Sequence, residues 1–93
     1  MKLEDKLVVV TGASQGIGRQ IALSCAAEGA DVVLAARSVD AMVSVAAEIE
    51  NSGRAAQVVE TDLTDRASVE ALGRAVLDRW DRVDVLVNNS GIG

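Results

Sequence analysis

An apolar run near the start of the chain leads directly into a glycine-rich turn. The run is Val8-Val9-Val10, the turn contains Gly12, Gly16 and Gly18, and helical spacing of apolar residues follows. Three consecutive β-branched residues suit a strand that is buried on both faces, as in a parallel sheet covered by helices above and below. The sequence therefore predicts a strand, a tight turn and a helix, which is the first unit of an α/β fold.

The glycines have separate predicted roles. Gly12 makes the tight turn, Gly16 lets the backbone approach an anion closely, and Gly18 lets the helix lie near the strand. The free N–H groups of the first helical turn favour a phosphate group. We interpret the loop as a pyrophosphate cradle, and the alternative is a plain turn. No Gly-Lys-Ser or Gly-Lys-Thr follows the glycines, which disfavours a P-loop site for ATP or GTP.

Composition narrows the class of protein. The chain has 93 residues, which allows one domain at most. Hydrophobic residues make up 49% of it, and Trp80 is the single aromatic, so we expect a core of small aliphatic side chains. The net charge is −5 and the basic residues are spread along the chain, which argues against a nucleic-acid partner.

Two further observations concern location and metal chemistry. No segment approaches the ~18 consecutive apolar residues of a membrane span, and the first six residues lack the apolar core of a signal peptide. We therefore expect a cytoplasmic protein with no membrane partner. One cysteine, Cys25, and no histidine exclude a disulfide framework and a zinc site. Cys25 is interpreted as a small buried hydrophobe rather than a nucleophile.

Helices and strands are predicted to alternate along the rest of the chain. In the first helix, apolar residues recur at helical spacing at Ile17, Ile21, Ala22 and Cys25. The inward stripe of the second helix is Met42, Val45, Ala46 and Ile49. The third strand has the weakest pattern and is placed at a sheet edge. The third helix is placed on the opposite sheet face, and the fourth strand beside the first. The predicted elements after the first strand are Ile17–Glu28, Asp31–Ala36, Val39–Ser52, Arg54–Glu60, Asp65–Trp80 and Val83–Val87.

Two motifs resemble those of the short-chain dehydrogenase/reductase family. The glycines read G-x-x-x-G-x-G after Thr11, and the last predicted strand runs into Asn88-Asn89-Ser90-Gly91, where the family has Asn-Asn-Ala-Gly. Ser90 in place of Ala is a small change at a small-residue site. The resemblance implies a Rossmann-type parallel sheet with flanking helices, strand order 3-2-1-4, that binds NAD or NADP. In the family, the second motif lines the cofactor ribose and ties the central strands together.

The end of the second strand is where this family reads the adenosine ribose. A carboxylate there accepts from the 2′-hydroxyl of NAD and repels the extra phosphate of NADP. This chain has Arg37 and Ser38 instead, and Arg37 lies nineteen positions after Gly18. A guanidinium matches a phosphate and a hydroxyl adds a donor, so NADP is predicted over NAD. The alternative makes Arg37 a solvated loop residue and Ser38 the N-cap of the next helix.

The segment after the third strand is Thr61-Asp62-Leu63-Thr64. The resemblance implies that Asp62 accepts from the adenine amino group and that the backbone N–H of Leu63 meets a ring nitrogen. The alternative interpretation makes Asp62 a turn residue ahead of a helix whose N-cap is Thr64.

The resemblance implies a cofactor site and no catalytic residues within this chain. The family's catalytic Ser, its Tyr-x-x-x-Lys and an upstream Asn lie beyond the fourth strand, and this sequence has no Tyr. Residues 1–93 are therefore interpreted as the dinucleotide-binding half of an oxidoreductase that acts on a carbonyl or alcohol substrate. The alternative is a non-catalytic nucleotide-binding or partner-binding half-domain. The implied cofactor-binding residues are Thr11, Gly12, Ser14, Gln15, Gly16, Ile17, Gly18, Arg37, Ser38, Asp62, Leu63, Asn88, Ser90 and Gly91.

The fourth strand also suggests self-association. It is internal in the family's sheet, so ending the sheet there leaves Val83, Val85, Leu86 and Val87 along an open edge. We therefore expect copies of this chain to associate through that edge.

Overall fold

A computed structural model of the chain describes residues 2–12 and 16–89. The predicted site residues Ser14, Gln15, Ser90 and Gly91 lie outside them. Strands and helices alternate as the sequence predicts. The elements are β1 (Leu7–Thr11), α1 (Gly16–Ala27), β2 (Asp31–Ala36), α2 (Val39–Asn51), β3 (Ala56–Glu60), α3 (Arg66–Trp80) and β4 (Val85–Asn88).

The four strands form one parallel sheet in the order β3-β2-β1-β4. In its register Val8 lies between Val32 and Val85, and Thr11 lies opposite Asn88. The order confirms the Rossmann-type prediction, with β3 at one edge and β4 at the other. The strand β4 begins two residues later than predicted, because Val83 precedes the paired segment and Asp84 bonds to the first residue of β1.

The core lies on both faces of the sheet. Val8 and Val10 point toward α1 and α2, whereas Leu7 and Val9 point toward α3. All five residues of β1 are buried, as the run of valines predicts. Among the described residues, the buried cluster beneath α3 has fewer members than the cluster beneath α1 and α2. The indole N–H of Trp80 donates to the side-chain oxygen of Gln57 on β3 at 2.8 Å, and this bond attaches the end of α3 to the sheet.

The helices match the predicted stripes to different degrees. The four predicted residues of α2, from Met42 to Ile49, are all buried, which confirms that stripe. In α1 the side chain of Ile17 is 59% exposed, so the predicted pattern is wrong at its first position. The residues that α1 buries are Gly18, Ala22 and Ala26, since a helix this close to the sheet has room for small side chains only.

The start of α3 also differs from the prediction. The N-cap is Asp65, whose carboxylate accepts from the N–H of Ala67 at 3.0 Å, and the helix begins at Arg66. Thr64 is therefore not the cap. Its hydroxyl instead donates to the carboxylate of Asp62 at 2.6 Å, which leaves the following aspartate to satisfy the helix terminus.

Close packing joins the first turn of α1 to the end of β1. A Cβ atom on Gly18 would lie 2.1 Å from the carbonyl oxygen of Gly12 and 2.7 Å from Nδ2 of Asn89. Gly12 itself has φ +67°, a left-handed conformation that favours glycine. The roles predicted for these two glycines in the turn and in helix packing are therefore confirmed.

The opposite end of the sheet is held by Asp84. Its carboxylate accepts from the N–H of Leu7 at 2.7 Å and from Nε of Arg82 at 2.9 Å. Arg82 also donates to the carbonyl oxygen of Asp5 at 2.6 Å, so the segment before β1 and the segment before β4 are joined. These hydrogen bonds lower the pKa of Asp84, with the bond from Leu7 as the largest cause.

We expect Gly18→Ala and Gly73→Ala to have opposite effects on stability, although both glycines are helical. The first places a methyl group against the Gly12 carbonyl and lowers the free energy of unfolding by about 1–3 kcal/mol. In the second, no other part of the described chain lies within 4 Å of the added methyl group, and the substitution raises the free energy of unfolding by up to about 1 kcal/mol. Chemical denaturation measures both. An unchanged or higher stability in Gly18→Ala contradicts the close approach.

The lowered pKa of Asp84 predicts a pH-dependent contribution to stability. Because the pKa is lower in the folded chain, the ionised carboxylate stabilises the fold above its unfolded pKa, and this contribution is lost as the pH falls through the folded pKa. We expect Asp84→Asn to be less stable than the wild-type chain at pH 7 and to approach it in acid. Denaturation at several pH values measures this, with Asp78→Asn on α3 as the control. If the difference in free energy of unfolding between Asp84→Asn and the wild-type chain stays constant with pH, the charge of Asp84 has no such role.

Candidate functional site

The carboxyl ends of all four strands meet at one edge of the sheet, and the predicted site residues within the described ranges lie there. Gly12 follows β1, Arg37 follows β2, Asp62 follows β3, and Asn88 ends β4. Parallel strands place such residues on the same side even when they are far apart in sequence. We call this group of strand ends the carboxyl edge.

Thr11 joins the two central strands at the carboxyl edge. Its buried hydroxyl lies 3.2 Å from Oδ1 of Asn88 and 3.3 Å from the carbonyl oxygen of Val87, and it accepts from the N–H of Asn89 at 3.1 Å. The hydroxyl of Thr11 therefore contacts the end of β4 and the residue that follows it. Within this chain, Thr11 positions the asparagines that follow β4.

Asn89 is a residue that the predicted site omitted. Its Nδ2 lies 3.4 Å from the carbonyl oxygen of Gly12, at the upper limit of a hydrogen bond, and next to the space that the missing side chain of Gly18 leaves. Asn89 thus packs between the glycine turn and β4. The signal for it was present in the sequence, because a second asparagine directly follows Asn88.

The first turn of α1 opens toward the carboxyl edge. Beyond its own helix and chain neighbours, none of the described residues has an atom within 4 Å of where a Cβ on Gly16 would lie, and Ile17 beside it is exposed. The first turn of α1 contains no acidic side chain, so nothing in it offsets the positive end of the helix dipole. This terminus is suited to a negatively charged group.

Arg37 and Asp62 lie side by side at the carboxyl edge. Nε of Arg37 is 3.8 Å from Oδ1 of Asp62, and their side chains are 73% and 42% exposed. The backbone brings them together, because the N–H of Thr61 donates to the carbonyl oxygen of Ala36 at 2.9 Å. The last residue of β2 is therefore joined to the first residue after β3, where the two loops begin.

The carboxylate of Asp62 is held in place by Thr64. The N–H and the hydroxyl of Thr64 both donate to Oδ1, at 2.9 and 2.6 Å. The pKa of Asp62 is lowered mainly by these two bonds, with a smaller contribution from the charge of Arg37. The N–H of Asp62 donates to the hydroxyl of Ser68 at 2.8 Å, which fixes the loop on α3. Leu63 beside it is half-buried.

Ser38 occupies the N-cap position of α2, as the alternative interpretation predicts. Its side chain makes no capping hydrogen bond, and its carbonyl oxygen accepts from the N–H of Met42 at 3.2 Å. The exposed hydroxyl therefore stands next to Arg37 without a capping role.

A shallow apolar groove of about 580 Å³ follows the outer side of α1. It includes Gly16 and Ile17 at the carboxyl edge and then passes Ile21 and Cys25, away from Arg37 and Asp62. Arg19, Gln20 and Ser24 also line the groove, but none of the groups that meet at the ends of β2 and β3 does. Cys25 is half-buried, and burial raises the pKa of its thiol, which fits a packing role.

Two features are absent from residues 2–12 and 16–89. Side chains of His, Cys, Asp and Glu do not form a group of three or more there that could hold a metal ion. None of the helices in those ranges is both long and apolar enough to cross a membrane.

Comparison with known proteins agrees with this geometry. The family model for short chain dehydrogenases matches residues 6–93. The 1,6-dihydroxycyclohexa-2,4-diene-1-carboxylate dehydrogenase of Acinetobacter baylyi is 47% identical over 90 residues, which are 97% of this chain and 34% of that protein. The chain therefore spans about a third of the length of this relative.

Two solved structures are similar over nearly all of the chain. A metagenomic short-chain oxidoreductase in complex with NADP has a TM-score of 0.94 and 42% identity, covering 100% of this chain and 42% of that one. The L-sorbose reductase of Gluconobacter frateurii, complexed with NADPH and L-sorbose, has a TM-score of 0.92 and 38% identity, covering 98% and 35%. With the family match, the strand order and the glycine turn, they show that this chain belongs to the short-chain dehydrogenase family.

Proposed function

We propose that this chain is the cofactor-binding portion of an oxidoreductase and that its carboxyl edge holds NADP in preference to NAD. The observation that carries the proposal is the meeting of the glycine turn, Arg37 and Asp62 at one sheet edge. A phosphate-binding helix terminus, a cation and a carboxylate acceptor are the groups that an adenine dinucleotide requires.

The residues divide between the parts of the cofactor. The first turn of α1, from Gly16, takes the pyrophosphate, and Arg37 with Ser38 takes the 2′-phosphate. Asp62 and Leu63 take the adenine. Asn88, which pairs with Thr11 of β1, takes a ribose. The proposed set is completed by Thr11, Gly12, Ser14, Gln15, Ser90 and Gly91. When bound, the nicotinamide supplies or accepts the hydride.

Preference for NADP rests on charge at the end of β2. The strand ends at Ala36, and the next side chain is a largely exposed guanidinium rather than a carboxylate. A guanidinium binds a phosphate through paired donors but gains little from a ribose hydroxyl. The two solved relatives named above were complexed with NADP and NADPH, which supports the same cofactor here.

The activity that we propose for the whole protein is NADP(H)-dependent oxidoreduction of a carbonyl or alcohol. Residues 1–93 then form its dinucleotide-binding half, and the group that exchanges a proton with the substrate lies outside them. The other candidate is a nucleotide-binding module without catalysis. A reading frame that continues into a Tyr-x-x-x-Lys favours the enzyme. A cytoplasmic location stays a prediction from the sequence.

We expect the chain to bind NADP⁺ more tightly than NAD⁺ through Arg37. Arg37→Gln removes a charge-assisted contact worth about 1.5–3 kcal/mol, so NADP⁺ affinity falls by about 10- to 150-fold while NAD⁺ affinity changes little. Arg37→Asp reverses the order. Isothermal titration calorimetry with both nucleotides measures this.

The control is Arg74→Gln, which removes the same charge from an exposed position on α3. It leaves both affinities unchanged if the effect is local. Equal affinities in the wild-type chain, with no response to Arg37→Asp, refute the NADP assignment.

We also propose that copies of this chain associate through the free side of β4. The strand pairs with β1 in the described sheet, and Leu86 is 64% exposed with Val85 and Val83 beside it. A strand edge with apolar side chains offers both unpaired backbone groups and hydrophobic area to another copy.

We expect Leu86→Lys to shift the chain from dimer to monomer, because it places a charge on that edge. Leu77→Lys is the matched control, since Leu77 is a similarly exposed leucine on α3. Sedimentation velocity at several protein concentrations measures the mass. A wild-type chain that is monomeric throughout the range contradicts the proposal, as does equal dissociation by both variants.

A further inference from the structure

The guanidinium of Arg37 shares the carboxyl edge with a negative charge. Oδ1 of Asp62 lies 3.8 Å from its Nε, which is longer than a hydrogen bond and within the range of an ion pair. Both side chains face solvent, so the interaction is Coulombic, weak and readily exchanged for another anion.

Asp62 is the less movable member of this pair. Two hydrogen bonds from Thr64 hold the same carboxylate oxygen, and the backbone of Asp62 is tied to Ser68 on α3. None of the hydrogen bonds found in the described residues restrains the guanidinium of Arg37 in that way. The negative charge therefore stays where it is, while the positive charge is able to turn toward a ligand.

We propose that Asp62 is a specificity-determining residue whose charge limits the preference for NADP over NAD. This inference rests on the proposed function. A 2′-phosphate held by Arg37 and the carboxylate of Asp62 compete for the same guanidinium, and the two anions also repel each other. NAD has a neutral hydroxyl at that position, so the charge of Asp62 affects its binding much less. Asp62 thus moderates the preference that Arg37 creates.

Asp62→Asn separates the charge from the hydrogen bonds. The amide keeps a side-chain oxygen that accepts from Thr64 and from an adenine amino group, and it loses the negative charge. A purely structural role for Asp62 predicts that this variant binds every adenine nucleotide like the wild-type chain, or binds all of them more weakly by the same factor.

The probes are adenosine 5′-monophosphate and adenosine 2′,5′-bisphosphate, which differ by the 2′-phosphate alone. We titrate them by calorimetry into the wild-type chain, Asp62→Asn, Arg37→Gln and the double variant, at low and high salt. Asp78→Asn on α3 controls for a change in net charge. We expect Asp62→Asn to raise the ratio of bisphosphate to monophosphate affinity by about three- to ten-fold, with a smaller gain at high salt and in the Arg37→Gln background.

A second measurement needs no ligand. In an acid titration followed by NMR, the Nε–H signal of Arg37 moves as Asp62 becomes protonated in the wild-type chain and does not move over that range in Asp62→Asn. Binding with an unchanged affinity ratio in Asp62→Asn overturns this inference alone, as does an Arg37 signal that ignores Asp62. Failure of both nucleotides to bind any variant overturns the proposed function, and this inference with it.

Discussion

The contact between the first turn of α1 and the end of β1 is the constraint on which the site depends. Gly18 has no side chain, so α1 reaches the carbonyl oxygen of Gly12 and the amide of Asn89. A larger residue moves the helix outward, and with it the N–H groups that open toward the carboxyl edge. The burial of small residues along α1 follows from the same short distance between helix and sheet.

Parallel pairing then gathers chemistry from distant parts of the chain. The turn after β1, the cation after β2 and the carboxylate after β3 come to one edge because all strands run in the same direction. Hydrogen bonds between strand ends refine this placement. Thr11 engages Asn88 and Asn89, and Thr61 bonds to Ala36, so the loops start from defined positions. Binding of a charged dinucleotide is the function that such an edge supports.

Sequence patterns were most reliable where one local cause dominates. The valine run predicted a fully buried strand, and the stripe of α2 is buried at every predicted position. They were less reliable where neighbours compete. Thr64 and Asp65 are both residue types that favour the N-cap position. The hydroxyl of Thr64 donates to Asp62, and Asp65 caps α3 instead. Ile17 fits a helical stripe, but a close helix has no room for it against the sheet.

The sequence by itself determined the alternation of strands and helices, the glycine turn, and an arginine where the second strand ends. Those features are set by periodicity, chain stereochemistry and side-chain type, all of which act within a few residues. The tertiary structure alone decided that Arg37 meets the carboxylate of Asp62 and that Thr11 binds Asn88, 77 positions away. Such contacts depend on the register of neighbouring strands and on which donor reaches an acceptor first, and no local pattern encodes either.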